Sequence, residues 1–310
     1  MKINLANIKK AKNLLNKSEC VAIPTETVYG LAGNAYSDQA CRKIFRLKKR
    51  PKNNPLIVHY YDLKKVKKDC ILNDNFFKLY KKISPGPITF ILKLKKSSKI
   101  SKIATNKKNT LAIRFPKHPI TRSLLKKLNF PIAAPSANIS SRVSAVTSND
   151  VRDDFGKRIK YILEGGRSNI GVESTIIDLR KKPKILRLGG LDIKTIQKIL
   201  KKKISFDIYP SKISSPGQLK IHYSPGIPIR LNVKKFRKDE ACLFIRKKIK
   251  NRKNYFFLSK KGNLKEAAKN LYSTLRKIKK NKYKSIAVSK IPNKGLGKTI
   301  NDRLLRASKF

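Results

Sequence analysis

Several short stretches carry side chains able to grip an anion. Pro24-Thr25-Glu26-Thr27-Val28-Tyr29-Gly30 sets hydroxyls and one carboxylate behind a short apolar run. Arg46 to Pro51 gathers cations and leads through Asn53-Asn54-Pro55 toward His59. Ser84-Pro85-Gly86-Pro87-Ile88-Thr89 reads as a rigid turn, Arg114 closes an apolar stretch, Ser136-Ala137-Asn138 follows another, and Ser174-Thr175 opens a third. The inventory is hydroxyls, amides, cations and one imidazole, with only Glu26, Glu173 and Asp178 as nearby carboxylates. That set suits an anionic ligand such as a nucleotide. It does not suit hydrolysis by paired carboxylates. GxxxxGK[ST], HExxH and GxSxG motifs are absent. Taken singly, each residue has an ordinary explanation, since Ser, Thr and Asn cap turns and Lys and Arg face water. Their concentration at the ends of apolar runs is what calls for a shared cleft.

The elements that must position these groups follow from periodicity. Residues 5–17 predict a helix, with Leu5, Ile8, Ala11, Leu14 and Leu15 on one face. Further helices are expected from Asp38, as the cap, through Leu47, and over 75–83, 120–128 and 193–200. Strands are expected at 20–23, 56–60, 89–94, 110–114, 131–134, 161–163, 174–178 and 184–187. Lys48 and Arg50, two apart in a stretch taken as extended, would point to the same side. Strands and helices alternate without strict βαβ order, which predicts an α/β fold with a mixed sheet whose strand ends converge on one crevice. Residues 204–228 change character, with Pro210, Pro216, Gly217, Pro225, Gly226 and Pro228, and read as an ordered linker. Beyond it, strands at 241–245, 255–258 and 285–288, a helix over 263–278 and a closing helix over 300–309 predict a small open α/β sheet. The expected division is therefore 1–203, 204–228 and 229–310.

Composition adds limits. Lys+Arg is 76 against Asp+Glu 18, a formal charge of +58. Such charge attracts polyanions, but it is spread over the whole chain, and Lys outnumbers Arg 58 to 18. An Arg inside a motif is thus the more informative cation. No run of 18 apolar residues exists, and no membrane association is expected. The four cysteines (Cys20, Cys41, Cys70, Cys242) lie far apart without CxxC, which suggests neither a disulfide framework nor a zinc site. A cytoplasmic, reducing location is the simplest expectation.

Together, PTETVYGLAGNA (24–35), KIFRLKKRPKNNPLIVH (43–59), SPGPITFIL (84–92), TLAIRFPKHP (110–119), PIAAPSANIS (131–140), GVESTIIDL (171–179) and ILRLGG (185–190) resemble the threonylcarbamoyl-AMP synthase family. The family's KxR…SxN signature falls on Lys48, Arg50, Ser136 and Asn138. The one departure is Ala32-Gly33-Asn34, where the family usually has a Gly-Leu-type turn. PGQLKIHYSPGIP (216–228) resembles the linker of the long, two-domain form.

The resemblance implies a YrdC-like twisted mixed sheet with flanking helices, followed by a small Rossmann-like domain. It implies a nucleotidyltransferase that converts L-threonine, bicarbonate and ATP to L-threonylcarbamoyl-AMP and pyrophosphate. The product would go to a tRNA threonylcarbamoyltransferase complex, for N6-threonylcarbamoylation of adenosine 37 in tRNAs reading codons that begin with A. By motif match, Thr27, His59, Arg114, Ala134 and Ser174 would hold L-threonine. Lys48, Arg50, Asn54, Thr110, Ser136, Asn138, Ser144 and Arg187 would hold the nucleotide, with Lys48 and Arg50 as the catalytic pair. Tyr223 would either close over the nucleotide from the linker or simply pack on the second domain. Mg2+ would come with ATP, bound by phosphates and water and by no protein ligand. One rival is a non-catalytic YrdC-like protein binding double-stranded RNA or tRNA. It draws on the charge but lacks evident stacking aromatics. A hydrogenase-type carbamoyl-transfer maturase is the other, and it would need CxxC segments that this chain lacks.

Overall fold

The computed structural model describes residues 3–208, 222–247 and 252–309. In the first of these stretches the strands are β1 (Val21–Ile23), β2 (Gly30–Asn34), β3 (Ile57–His59), β4 (Cys70–Ile71), β5 (Ile88–Leu94), β6 (Thr110–Arg114), β7 (Ile132–Ala133), β8 (Tyr161–Ile162), β9 (Thr175–Asp178), β10 (Lys184–Arg187) and β11 (Ser205–Phe206). The helices are α1 (Leu5–Asn16), α2 (Asp38–Lys48), α3 (Leu63–Asp69), α4 (Asp74–Ile83), α5 (Lys102–Thr105), α6 (Pro119–Lys127), α7 (Ser148–Phe155) and α8 (Ile193–Leu200). The strands form one mixed sheet in the order β11-β10-β9-β5-β6-β3-β7-β2-β1-β8, with β4 on β5. The mixture is visible at β6, antiparallel to β5 and parallel to β3.

Alternation along the central strands decides where chemistry can sit. Val58, Phe90, Leu92, Leu111, Ile113 and Ile177 face the main core, against Ile44 and Phe45 of α2, Phe76 and Leu79 of α4 and Ile196 of α8. The opposite face carries α1 and α6 at one end, through Ile8, Leu15, Leu124 and Leu125 over Val21, Ile23 and Ile132. At its other end that face holds a small apolar floor of Ile57, Ile91, Ala112, Ile176 and Leu186. His59, Thr89, Arg114 and Ser174 are two residues from Ile57, Ile91, Ala112 and Ile176 respectively. The strand period therefore puts all four polar groups on the floor's face, away from the main core.

The expected elements are present, with corrections of physical interest. The cap of α2 is Ser37, whose side chain accepts from the Ala40 N–H, while Asp38 is the first helical residue. A hydroxyl one residue earlier takes the cap, and Asp38 adds negative charge in the first turn. Ala32-Gly33-Asn34 is not a turn but part of β2, paired with β1 and β7. Gly33 lets α2 close on the strand, because a Cβ there would lie 3.1 Å from Ile44 Cδ1 and 3.3 Å from Ala40 Cβ. β11, inside the expected linker, adds an edge strand beside β10. The linker's Pro210, Pro216 and Gly217 fall outside the described residues.

The C-terminal strands β12 (Ile229–Arg230), β13 (Ala241–Arg246), β14 (Tyr255–Ser259) and β15 (Ile286–Val288) make an all-parallel sheet in the order β12-β15-β13-β14, with α9 (Leu264–Lys280) and α10 (Leu296–Ala307). The core of this unit does not close on itself. Leu271, Tyr272, Leu275, Ile300 and Leu304 pack in one cluster with Val28, Val143, Val146, Val172 and Tyr223. At Gly171 (φ +77°) the approach is so near that a Cβ would meet the Lys269 backbone at 2.4 Å. All four cysteines are buried and free, three in the first unit and Cys242 on β13.

Candidate active site

A cleft opens over the apolar floor. It is lined by Thr25, Tyr29, Arg50, His59, Arg114, Ala134, Ser136, Ser174, Arg187 and Tyr223, with Glu173 and His222 among the remaining wall residues. Of the residues expected from sequence, Arg50, His59, Arg114, Ala134, Ser136, Ser174, Arg187 and Tyr223 thus meet in one place. Thr27, Lys48, Asn54, Asn138 and Ser144 are outside that lining, and each is hydrogen-bonded to a residue of it: Thr25, Ser136, Arg50, Ser136 and Glu173 in turn. Thr110 opens β6 at the far end from Arg114, ~13 Å along the strand, on the same face as Arg114.

One side of the cleft brings a guanidinium, an imidazole and hydroxyls together. His59 and Arg114 are register partners on β3 and β6, and Thr89 of β5 pairs with Arg114 from the other side. Arg114 Nη2 donates to Glu26 Oε1 at 2.7 Å, and Glu26 Oε2 accepts the Lys117 N–H. Burial works against the charge of Glu26, but Arg114 beside it holds its pKa below the ordinary carboxylate value. Arg114 Nε and both ring nitrogens of His59 are buried with no partner. Burial, then the Arg114 charge, pushes the His59 pKa well down, so its ring is neutral. The Ser174 hydroxyl is fixed by Thr89 Oγ1 at 2.7 Å and Arg187 Nη2 at 3.1 Å. Thr27 hydrogen-bonds Thr25, 2.9 Å between hydroxyls, so Thr25 is the threonine that reaches the cleft wall.

The other side is cationic. Lys48 is the last residue of α2, and Lys49 takes a left-handed conformation (φ 49°), so the chain turns between Lys48 and Arg50. The extended-stretch expectation is therefore wrong: their directions come from a helix C-cap, not from strand alternation. Lys48 Nζ reaches back to the carbonyls of Ser136 (2.6 Å) and Asn138 (2.5 Å). Arg50 donates through Nε to the Asn54 carbonyl, and through Nη2 to Asn54 Oδ1 (2.7 Å) and the Pro55 carbonyl. Burial, then the Arg50 charge, drives the Lys48 pKa well down. Burial and Arg187 bring Arg50 down to about 9. Arg187 arrives through a register shift between Ile185 and Arg187 that places it opposite Ile176. Such irregularities re-aim side chains. It holds the Ser174 carbonyl at 2.9 Å.

The wall toward the C-terminal unit is where sequence reasoning stopped. Tyr223 lines the cleft and also packs on the second unit, stacked 5.8 Å from Tyr272, with the adjacent His222 ring tilted against it at 3.9 Å. The packing reading of Tyr223 is borne out, and the same ring borders the cleft. Burial raises its pKa to about 12. Ser144 Oγ donates to Glu173 Oε1 at 2.6 Å, and Glu173 also accepts from Tyr272 and Arg303. Tyr272 and Arg303 were not anticipated; an Arg in a Lys-dominated chain was the available signal.

Carboxylates here offer a divalent cation no cage. Glu26 is taken by Arg114 and Lys117, Glu173 by Ser144, Tyr272 and Arg303. No group of three His, Cys, Asp or Glu among the described residues could hold a metal ion. Such a donor set is compatible with Mg2+ carried on a ligand's own oxygens. No helix among the described residues is long and apolar enough to cross a membrane.

Residues 13–189 match the model of the Sua5/YciO/YrdC family, described as "Telomere recombination". Residues 191–309 match "Threonylcarbamoyl-AMP synthase, C-terminal domain". The threonylcarbamoyl-AMP synthase of Pyrococcus abyssi is 33% identical, over 98% of this chain and 94% of its own length. That of Bacillus subtilis is 33% identical with the same coverage. The crystal structure of P. abyssi Sua5 complexed with L-threonine superposes with a TM-score of 0.92 at 31% identity, covering 100% of this chain and 96% of that one. Two consecutive domain matches and near full-length likeness make this chain a member of the threonylcarbamoyl-AMP synthase family, in its long, two-domain form.

Proposed function

We propose that the chain is an L-threonylcarbamoyladenylate synthase, a nucleotidyltransferase that joins L-threonine, bicarbonate and ATP into L-threonylcarbamoyl-AMP and releases pyrophosphate. The observation that carries this reading is the buried, unpartnered set of Arg114 Nε and the two His59 nitrogens beside the Arg50–Arg187 rim. Buried polar atoms without partners are rare in folded proteins, and a ligand would satisfy them. An amino-acid carboxylate fits the Arg114 fork. Triphosphate oxygens fit Arg50 and Arg187, with Lys48 bracing the Ser136–Asn138 loop behind them. Asn54 Nδ2 and Asn138 Oδ1, also buried and unpartnered, lie on that side.

In this reading the threonine amine takes up carbon dioxide with loss of a proton, or bicarbonate with loss of water, and the new carboxylate attacks the α-phosphorus of ATP in line. Pyrophosphate leaves with the P–O bond that breaks. No covalent enzyme intermediate is needed, so the protein's work is placement and charge neutralisation. Mg2+ bound to the triphosphate would offset phosphate charge. Tyr223, already on the wall, would border the nucleotide and help keep water from a labile mixed anhydride. The product would pass to a tRNA threonylcarbamoyltransferase complex in the cytoplasm, and the +58 charge would supply at most a weak tRNA contact.

The test is incubation with ATP, L-threonine and bicarbonate, followed by mass analysis for threonylcarbamoyl-AMP and a pyrophosphate assay. Pyrophosphate release that depends on threonine supports the reading. RNA binding with ATP untouched would instead favour the non-catalytic alternative.

A further inference from the structure

Glu173 sits in the cleft wall between Val172, which belongs to the core of the second unit, and Ser174. Its Oε1 accepts from Ser144 Oγ at 2.6 Å and from Tyr272 Oη at 3.0 Å. Its Oε2 accepts from the same Tyr272 hydroxyl at 2.8 Å and from Arg303 Nε at 3.0 Å. Two of these three donors come from α9 and α10, about a hundred residues or more away in sequence. Arg303 is 1% exposed and touches two residues of the wall, Glu173 and Tyr223, and the strand end next to Arg187. Besides Glu173, its Nη2 donates to the carbonyl of Leu188, the neighbour of Arg187, at 2.6 Å. Its guanidinium also lies 4.6 Å from the Tyr223 ring centroid. Asp302 balances the arrangement, paired with Arg303 Nη1 and with Arg306 Nε.

We infer that Arg303 and Tyr272 of the C-terminal unit are positioning residues for the ATP side of the cleft, acting through Glu173, Leu188 and Tyr223. The inference rests on the nucleotide reading proposed above. Without Arg303, the Glu173 carboxylate stays buried beside the cleft cations, and Arg187 is the one whose charge bears on it. A stranded buried charge recruits whatever cation it can. Arg187 would turn toward Glu173 and away from phosphate, and the Leu188 carbonyl would lose the donor that fixes the strand end. Threonine's side changes less, because Ser174 loses its Arg187 bonds but keeps Thr89, and Arg114 keeps Glu26.

The experiment compares wild type, Arg303→Met, Tyr272→Phe and the double variant Arg303→Met/Glu173→Gln. It measures calorimetric affinity for ATP·Mg2+ and, separately, for L-threonine, with a thermal melt of each protein. Tyr272→Phe keeps the ring stacked on Tyr223 and removes only the hydroxyl. The expected result is ATP affinity about tenfold weaker in Arg303→Met and a few-fold weaker in Tyr272→Phe, the usual range for coupling within one polar network. Threonine affinity should stay within about twofold, and the double variant should regain part of the ATP affinity because no stranded charge remains. If Arg303→Met does not fold, Tyr272→Phe decides alone. Unchanged ATP affinity in the folded variants, even with a lower Tm, overturns the inference, and so does equal loss of both ligands. A wild-type chain that binds no ATP removes the nucleotide reading and this inference with it. A wild type that binds ATP beside variants that bind it equally well removes the inference alone.

Discussion

Arg114 has two obligations, since its fork is shared between Glu26 and the open cleft. Arg114→Ala therefore strands the Glu26 carboxylate and, in the proposed reading, threonine's as well, and truncation of one partner of a buried charge pair costs roughly 2–5 kcal/mol. The KM for threonine should rise far more than that for ATP, and steady-state kinetics with each substrate varied in turn will show it. Equal rises would contradict the assignment. Lys48 differs, because its ammonium is already spent on the carbonyls of Ser136 and Asn138. Lys48→Ala should lower pyrophosphate release by about two orders of magnitude, comparable to losing one preorganised donor, by slackening the loop that carries Ser136. Near-normal turnover in this variant would mean the loop needs no brace.

At the scale of elements, the sheet puts His59, Thr89, Arg114 and Ser174 on one face by nothing more than a period of two; in the sequence His59, Arg114 and Ser174 were legible as polar groups at strand ends and through the family motifs, and Thr89 only as the end of a rigid turn. Lys48 and Arg50 were legible as cations but not as geometry. A left-handed Lys49 is invisible to periodicity, and a Lys buried in the last helical turn looks like any other in a chain with 58 of them. β2 was missed because Gly30-Leu31-Ala32-Gly33-Asn34 has neither alternation nor β-branched residues; tertiary pairing overrides its weak propensity. Gly189 is a tight joint between backbone segments near the site. A Cβ there would lie 2.3 Å from Ser174 C and Thr175 N, both backbone atoms that cannot swing aside. Gly189→Ala should cost about 1–3 kcal/mol of stability, as overpacking does, and weaken threonine binding by displacing Ser174. A melting curve and threonine titration unchanged from wild type would show that the joint gives freely.

Across the whole molecule, acid should be the weak side. Burial opposes the charge of Glu173, yet Arg303 and Arg187 hold its pKa at about 2 against an ordinary 4.5. Its contribution, about 3 kcal/mol, is full above pH 4.5 and lost as pH falls through 2. His59, His222 and His118 act earlier. Burial holds each below the ordinary 6.5, so the unfolded chain takes up protons that the folded one refuses as pH drops below that value. Both effects have the same sign, and Tm should fall steadily from about pH 6.5 downward. Calorimetry across pH 7 to 2.5 tests this, and Glu173→Gln should flatten the lowest stretch even though it lowers Tm at neutrality. A Tm that climbs on acidification would refute the sign. The two units share a core through Val28, Val143, Val146 and Val172, so the transition should be single.

The four buried cysteines give that cooperativity a chemical clock. Burial raises the thiols of Cys20 to about 12 and of Cys41 and Cys242 to about 11, and pushes Cys70 up as well. The thiolate is the reactive form, so an aromatic disulfide reagent should find almost nothing to attack while the protein is closed. Labelling then proceeds only at the pace of opening. Cys20, Cys41 and Cys70 sit in the large sheet's unit and Cys242 in the small one. If the shared core makes the units open together, all four thiols should modify with one rate constant in mild denaturant. A Cys242 that reacts ahead of the rest would show the small unit peeling away first, and would leave Glu173 facing the cleft without Tyr272 and Arg303, with Ser144 alone still bonded to it, while the large sheet still stands.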